Sequence, residues 1–319
     1  MTLKKIAELA GVSVSTVSKV MHGNTEISEE TAAAVKNAAK ELGCLEKYYK
    51  GEYGKPVIAV IIPEVCSEFY SNIASETAAF AERHGAAAIF AQSMFDGDKC
   101  TEIADYLSFR GMADGIVIIG HSELKKKLDV PFVIIGGNDK SASDCIYMDM
   151  ENAVSDAVKH LIKCGHKKIA YVGEQRTSSK LALLKKIMKK NDIPLKKEYT
   201  YVSGGRFMSA GFAGAEQLLS LKNPPTAIIA AYDYIALGMM EYFKLHNISV
   251  PKDISIIGMD NIIAASCSNL TSIAFDYKSI CRETVDLLFK RIENKYYCPE
   301  QSIAFDAELV IRESVGNIK

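Results

Sequence analysis

The sequence predicts a short all-α headpiece followed by an α/β core of two parallel-sheet lobes, and three patterns carry that prediction. Residues 1–43 place their apolar side chains at helical spacing. Residues 44–56, CLEKYYKGEYGKP, turn abruptly polar, glycine-bearing and tyrosine-rich, which is linker composition. From Val57 onward, apolar runs of strand length alternate with helical stretches, the rhythm of parallel strands buried on both faces. At 319 residues the chain is long enough for more than one core. The expected divisions are 1–46 for the headpiece, 47–56 for the linker or hinge and 57–319 for the core.

The elements follow in order. Ile6, Leu9 and Ala10, and then Val17, Val20 and Met21, fall at i, i+3, i+4 and give the first two helices one apolar stripe each. Ser13 stands at the N-cap of the second helix, with Val12 and Val17 spaced as a hydrophobic staple, and Gly23 stops it. Ser28 caps the third helix, where Glu29 and Glu30 suit the positive end of the dipole. Its inner stripe is Ala32, Val35, Ala38 and Leu42, closed by Gly43 as the C′ residue. In the core, strand Val57–Ile62 leads to a helix through about His84 that stops at Gly85. Ala86–Ala91, Ile116–Ile119 and Phe132–Ile135 are further apolar runs separated by helical stretches. A second series runs Ile169–Val172, helix 179–191, Ala227–Ala231, helix 233–246 and Ile254–Ile257. Two such series predict two similar lobes, with ligands expected outside the carboxyl ends of the strands, in the cleft between lobes.

Composition narrows the function. With 48% hydrophobic and 24% charged residues, the chain is an ordinary globular protein and not a disordered one. No apolar run approaches the roughly 18 residues of a membrane helix. The N-terminus, MTLKKIAELAGVS, lacks the apolar region of a secretory signal, so export is not expected. The eight cysteines are scattered without a CxxC pair, which reads as buried reduced thiols in a reducing compartment, the cytoplasm. The net charge of −1 does not advertise nucleic-acid binding, although the first 25 residues carry three lysines against one glutamate. No GxGxxG follows a strand, and no Walker loop, GxSxG elbow or metal-spaced cluster occurs. No catalytic residue, metal or cofactor is therefore expected. His166, in Cys164-Gly165-His166, reads as a turn residue and not as a catalyst.

The second helix is the informative one. With Val17, Val20 and Met21 inward, the 100° step places Ser15, Ser18, Lys19 and His22 on the opposite face, beside Thr16. Small residues permit close approach to a major groove, hydroxyls meet phosphates or bases, and a lysine reaches a guanine edge. The helix–Gly–helix arrangement is that of a helix-turn-helix. The plain alternative is a helical bundle with a soluble face.

The segment Leu3-Lys4-Lys5-Ile6-Ala7, Ala10-Gly11-Val12-Ser13, Thr16-Val17-Ser18-Lys19-Val20 and Gly23 resembles the headpiece of the lactose-repressor (LacI/GalR) family of bacterial transcriptional regulators. So does Ser28-Glu29-Glu30-Thr31 with Glu41-Leu42-Gly43. The resemblance continues in order through Val60–Pro63, Phe69-Tyr70, Ala113–Ile116, Gly165–Ala170, Asp233–Gly238, Ser255–Asn261 and Glu308–Ser314, and so covers essentially the whole chain. It implies a periplasmic-binding-protein-like core, a homodimer on pseudo-palindromic double-stranded operator DNA, and a small effector that sets operator affinity. It also implies base reading by Val14, Ser15 and Lys19 and phosphate contact by Thr16 and Ser18. His22 stands where the family usually has Asn; DNA contact and an exposed helix-end histidine are both open there. For the effector it points to Phe69, Tyr70, Asp233 and Asp260, although Asp233 also suits a structural cap. Repression is the family's usual mode.

The chain departs from that pattern in two places. The linker lacks the usual hinge-helix sequence, and Gly51 and Gly54 weaken any helix there. Tyr53 is a candidate substitute for the wedging leucine, and operator bending is expected to be weaker or differently made. At the cleft, Gly136-Gly137 replaces an acidic motif, Lys180 replaces an arginine and Tyr232 stands where Asn often precedes Asp233. Arg206 aligns with a family aromatic unless a gap brings in Phe207. Fewer polar partners weaken the case for a simple sugar, and Lys180 with Arg206 would suit an anion if both face the cleft. Their alternative is two solvated surface cations. A regulator with an effector-insensitive core, and a solute-binding protein without a DNA role, are the rival functions. No leucine heptad follows Ser314, so a dimer is the expected ceiling.

Overall fold

The computed structural model describes residues 3–21, 27–44, 55–121, 123–136, 143–294 and 299–318. The headpiece consists of α1 (Leu3–Ala10), α2 (Val14–Met21) and α3 (Glu29–Glu41). Ile6, Ala7, Val17, Val20, Met21, Val35, Ala38, Ala39 and Cys44 form its core. Leu9 departs from expectation: it is 47% exposed, because the inward stripe of α1 runs through Leu3, Ile6, Ala7 and Ala10 and leaves Leu9 about 110° away. The caps are those the sequence predicts. Thr16 N–H donates to Ser13 Oγ at 3.1 Å, and Thr31 N–H donates to Ser28 Oγ at 3.3 Å. Gly43 turns α3 off with φ +61°. Gly23, His22 and most of the linker, including Gly51, Tyr53 and Gly54, lie outside the described residues.

The remaining chain divides so that residues 148–276 and 304–319 form one unit, while 277–303 return to the unit that precedes them. The first sheet comprises β1 (Val57–Ile62), β2 (Ala87–Gln92), β3 (Gly115–Ile119), β4 (Phe132–Ile135), β5 (Cys145–Asp149) and β11 (Ser302–Asp306), in the order β11-β5-β4-β3-β1-β2. Helices α4 (Glu68–Arg83), α5 (Gly97–Phe109) and α11 (Tyr277–Glu293) belong with it. No helix separates β3 from β4 among the described residues, contrary to the alternation expected there. Polar and charged residues after Gly120 interrupt any apolar stripe.

The second sheet comprises β6 (Ile169–Glu174), β7 (Thr200–Ser203), β8 (Ala227–Ala230), β9 (Ser255–Met259), β10 (Thr271–Ala274) and β12 (Glu308–Val310). Its order is β12-β10-β9-β8-β6-β7. Helices α6 (Glu151–Lys163), α7 (Ser178–Lys190), α8 (Phe207–Leu219), α9 (Asp233–Leu245) and the short α10 (Ile263–Cys267) complete the unit. Both sheets share the 2-1-3-4-5 order of parallel strands, so the expectation of two similar lobes holds at the level of topology. β6, β8 and β9 are buried at every position, as strands covered on both faces must be. In this order the chain reverses direction between β1 and β3, and between β6 and β8, which opens a crevice at the carboxyl ends of those strands.

None of the seven described cysteines forms a disulfide; Cys66 and Cys267 are exposed and Cys164 is half-buried, so the reading of uniformly buried thiols is corrected at those three. Among the described residues no helix is long and apolar enough to cross a membrane. The tail closes the second unit at the amino ends of its strands. Gly316 N–H donates to Ser255 Oγ at 3.0 Å, and Ile318 N–H donates to the Cys164 carbonyl at 2.9 Å. His166 is more than a turn residue here. It is buried, with Nδ1 3.0 Å from Thr226 Oγ1 and Nε2 3.0 Å from the Gly316 carbonyl, to which it donates. Burial holds its pKa below the ordinary 6.5. The unfolded chain therefore takes up this proton first, so the contribution of His166 is full above about 6.5 and is lost as pH falls below it. Between pH 7.5 and 5.5 the wild-type melting temperature is expected to drop more than that of His166→Gln; parallel slopes would contradict this.

Candidate functional site: the headpiece helix and the strand-end rims

On α2, burial of Val17, Val20 and Met21 turns Val14, Ser15 and Lys19 to solvent, while Thr16 and Ser18 are half-buried at the edges of that face. Val14 is 44% exposed. Ser13 Oγ lies 2.8 Å from both Ser15 Oγ and Thr16 Oγ1, so three hydroxyls cluster at the helix N-terminus. The first turn contains no acidic residue, and the positive end of the dipole is therefore not countered from within the helix. This is a surface of hydroxyls, backbone N–H groups and one ammonium, suited to phosphates and base edges.

In the first unit, Phe69 and Tyr70 lie at the start of α4, edge to face with centroids 4.9 Å apart. Two neighbours absent from the sequence reading join them: Tyr277 stands 5.7 Å from Phe69, and Phe95 stands 5.8 Å from Tyr70. Beside them His121 Nε2 lies 2.8 Å from Ser93 Oγ, which donates to the Ile62 carbonyl. These contacts tie together the ends of β1, β2 and β3. Gly136 ends β4 with φ +110°, and its partner Gly137 lies outside the described residues.

The rim of the second unit gathers the other predicted residues at the ends of β6, β8 and β9. Asp233 opens α9 and is buried, accepting from Ser272 Oγ at 2.6 Å and from Ile262 N–H at 2.9 Å. Burial, and then the neighbouring Asp260 charge, push its carboxyl up to about 7. Gly258 leaves the room this requires, since a Cβ there would collide with Asp233 Oδ1. Asp260 follows β9 with φ +98°, and burial raises its pKa while Lys180 opposes the rise. Lys180 Nζ donates to the Ala231 carbonyl at 2.8 Å and lies 3.4 Å from Asp260 Oδ1. Arg206 Nε donates to both oxygens of Glu174, at 3.2 and 3.1 Å.

Two expectations change as a result. Lys180 and Arg206 are not solvated surface cations, because each is paired with a carboxylate of its own unit. Of the two aligned candidates, Phe207 joins the aromatic group, 6.0 Å from Tyr232 and 5.4 Å from Tyr234. Tyr232 is mostly buried, and its hydroxyl accepts the Phe207 N–H at 3.0 Å, so its visible role is to seat α8. Glu174 escaped the sequence reading, although an acid ending an otherwise apolar strand was the available signal. Arg312 also escaped it, and it donates to the Leu270 carbonyl, Asn261 Oδ1 and Ser266 Oγ at 2.6–2.7 Å, bracing the turn that carries Asp260.

A helix-turn-helix joined to two doubly wound units of one strand order defines a class, that of a regulatory protein with a periplasmic-binding-protein-like core. Residues 2–45 match the bacterial regulatory proteins of the lacI family, and residues 158–315 match the periplasmic binding protein-like domain. The chain thus combines a lacI-type DNA-binding domain with a periplasmic-binding-protein-like domain. It is 28% identical over 332 residues to the transcriptional repressor CytR of Escherichia coli K12, covering 98% of this chain and 96% of that one. It is 29% identical to the transcriptional repressor PurR of Actinobacillus pleuropneumoniae, covering 99% of each. A lac repressor dimer solved with operator and an anti-inducer has the same fold, with TM-score 0.73, 24% identity and 99% coverage of both chains.

Removing the buried carboxylate with Asp233→Ala leaves the Ile262 N–H and the Ser272 hydroxyl without their acceptor. A loss of about 2–4 kcal/mol is expected in denaturant unfolding. A loss below about 0.5 kcal/mol would show that the carboxylate does not organise the rim.

Proposed function

We propose that this chain is a cytoplasmic DNA-binding repressor that works as a homodimer on a pseudo-palindromic operator, with a small effector at the strand ends of its core setting operator affinity. The observation that carries this reading is the solvent face of α2. It presents Val14, Ser15 and Lys19 from a rigid apolar core, in a segment that matches a family of regulatory proteins. Lys19 donates to a guanine edge as a point charge, Val14 offers apolar contact such as a thymine methyl takes, and Ser15 completes base reading. Thr16 and Ser18 hold phosphates. The proposed divisions remain 1–46, 47–56 and 57–319, and the place of Cys44 in the headpiece core supports the first of them.

Dimerisation follows from energetics. One weakly basic headpiece binds duplex non-specifically at about 10⁻⁴–10⁻⁶ M, and pairing two heads on one two-fold site raises the effective concentration of the second. Effector binding is assigned to Phe69 and Tyr70 in the first unit and to Phe207, Asp260 and Lys180 in the second. Asp233, Tyr232 and Arg206 hold those residues in place. No catalytic step is part of the proposal.

The test is selection of a duplex site from a random pool, followed by binding of wild type and Lys19→Ala. Affinity is expected to fall at least about tenfold, with preference lost at one base pair per half-site and the melting temperature unchanged. An unaltered half-site preference would overturn the assignment. The glycine-bearing linker also predicts a smaller operator bend than a wedged hinge helix makes, and Tyr53→Ala should leave the bend angle as it is. A full central kink lost in Tyr53→Ala would place the wedge at Tyr53.

A further inference from the structure

We infer that the outer face of α7 is a second DNA-contacting surface, one that holds duplex DNA by its phosphates without regard to sequence. The inference goes beyond the operator contact assigned to α2 and uses none of its residues.

The chain as a whole carries a net charge of −1, yet residues 185–197 hold six lysines against one acid, Asp192. All six lysines are exposed. Burial of Leu184, Ile187 and Met188 turns α7 so that Lys185, Lys186, Lys189 and Lys190 share its outer side. Lys196 and Lys197 follow a short connection further on, ahead of β7. Part of this charge has a local explanation. Glu151 answers Lys186 and Lys190, at 2.8 and 3.2 Å, and Glu198 stands 3.8 Å from Lys196. The negative end of the helix dipole favours Lys189 and Lys190 in the last turn. Lys185 lies before that turn and Lys197 beyond the helix, so the dipole accounts for neither. Lys185, Lys189 and Lys197 make no ion pair among the described residues. Lys185 and Lys189 also stand four apart on one helix, where like charges repel. The fold bears this excess of positive charge without using it.

Such a face fits a polyanion, and its composition selects between the two kinds. A protein interface is anchored by buried aromatic and aliphatic side chains and is poor in lysine. Among the described residues from 113 to 201 no large aliphatic or aromatic side chain is exposed, so an acidic protein finds no anchor here. A duplex needs none. It presents one negative charge per about 1.7 Å of axis, and cations that neutralise its phosphates gain from the release of condensed counterions. Lysine, a point charge on a flexible stem, meets phosphates in any register. α7 has no arginine fork with which to read base edges.

The experiment uses the full chain and two duplexes of different colour: the operator selected above, in an amount equal to its binding sites, and a second duplex that lacks the site. Wild type is expected to bring both colours into one complex at low salt, with capture of the second duplex weakening steeply as salt rises. Lys185→Ala with Lys189→Ala and Lys197→Ala removes three exposed cations that hold no partner. Capture of the second duplex is expected to weaken at least about tenfold, and the salt slope to fall by about 3. Operator affinity and melting temperature are expected to stay as in wild type. Should the triple variant melt early, Lys185→Gln with Lys189→Gln is expected to show a smaller loss in the same direction. Wild-type operator complexes that take up no second duplex would overturn the inference, as would variants with an unchanged salt slope. Tighter binding of poly-L-glutamate than of the site-free duplex at equal salt would overturn it in favour of an acidic protein segment. If no operator duplex can be selected at all, the operator reading fails by itself, and the same variants are then compared on the site-free duplex alone.

Discussion

A carboxylate at the end of a parallel strand buried on both faces has little water to stabilise it and must find its partners within the protein. In this chain that constraint shapes the whole rim of the second sheet. Glu174 ends β6 and holds Arg206 ahead of α8; Asp233 starts α9 and holds the turn after β9 against β10; Asp260 leaves β9 and holds Lys180 on α7. Six elements, β6, α7, α8, α9, β9 and β10, are thus registered by three acids. The side chains that a ligand would meet are positioned by groups that are themselves buried and hydrogen-bonded. Close approach of α8 to α9 completes the frame, because a Cβ at Gly211 would run into the backbone of α9.

The headpiece solves the opposite problem. Its nine-residue buried cluster is small, so local devices matter more: two serine caps, a glycine C′ and a stripe of small alanines that lets three short helices meet. That economy leaves the outer face of α2 free of structural duty. Val14 and Lys19 project from it without contributing to the core, and such residues are open to selection for contact with a partner.

Helices and strands were legible wherever apolar periodicity was strong. The caps at Ser13 and Ser28, the stop at Gly85, and strands β1, β4, β6 and β8 fall where pattern alone puts them. Leu9 misled because two stripes fit eight residues almost equally well, and only packing against α3 chooses between them. The headpiece face was readable because a helix carries its own geometry: residues three and four apart share a side. The rim was not, since Lys180 and Asp260 are 80 residues apart in the chain, as the numbering of their ion pair shows. A sequence can name the two residues without saying that they meet.

What the sequence determined by itself was the alternation of buried strands and amphipathic helices, the three-helix head with its polar outer face, and the residues that a family resemblance marks. What only the tertiary structure decided was pairing: which acid neutralises Lys180 and Arg206, which of Arg206 and Phe207 joins the aromatic group, and that His166 fastens the tail. The physical reason is range. Helix and strand preferences arise from neighbours within a few residues, whereas the charge state of a rim depends on which distant side chains the topology delivers to the same strand ends.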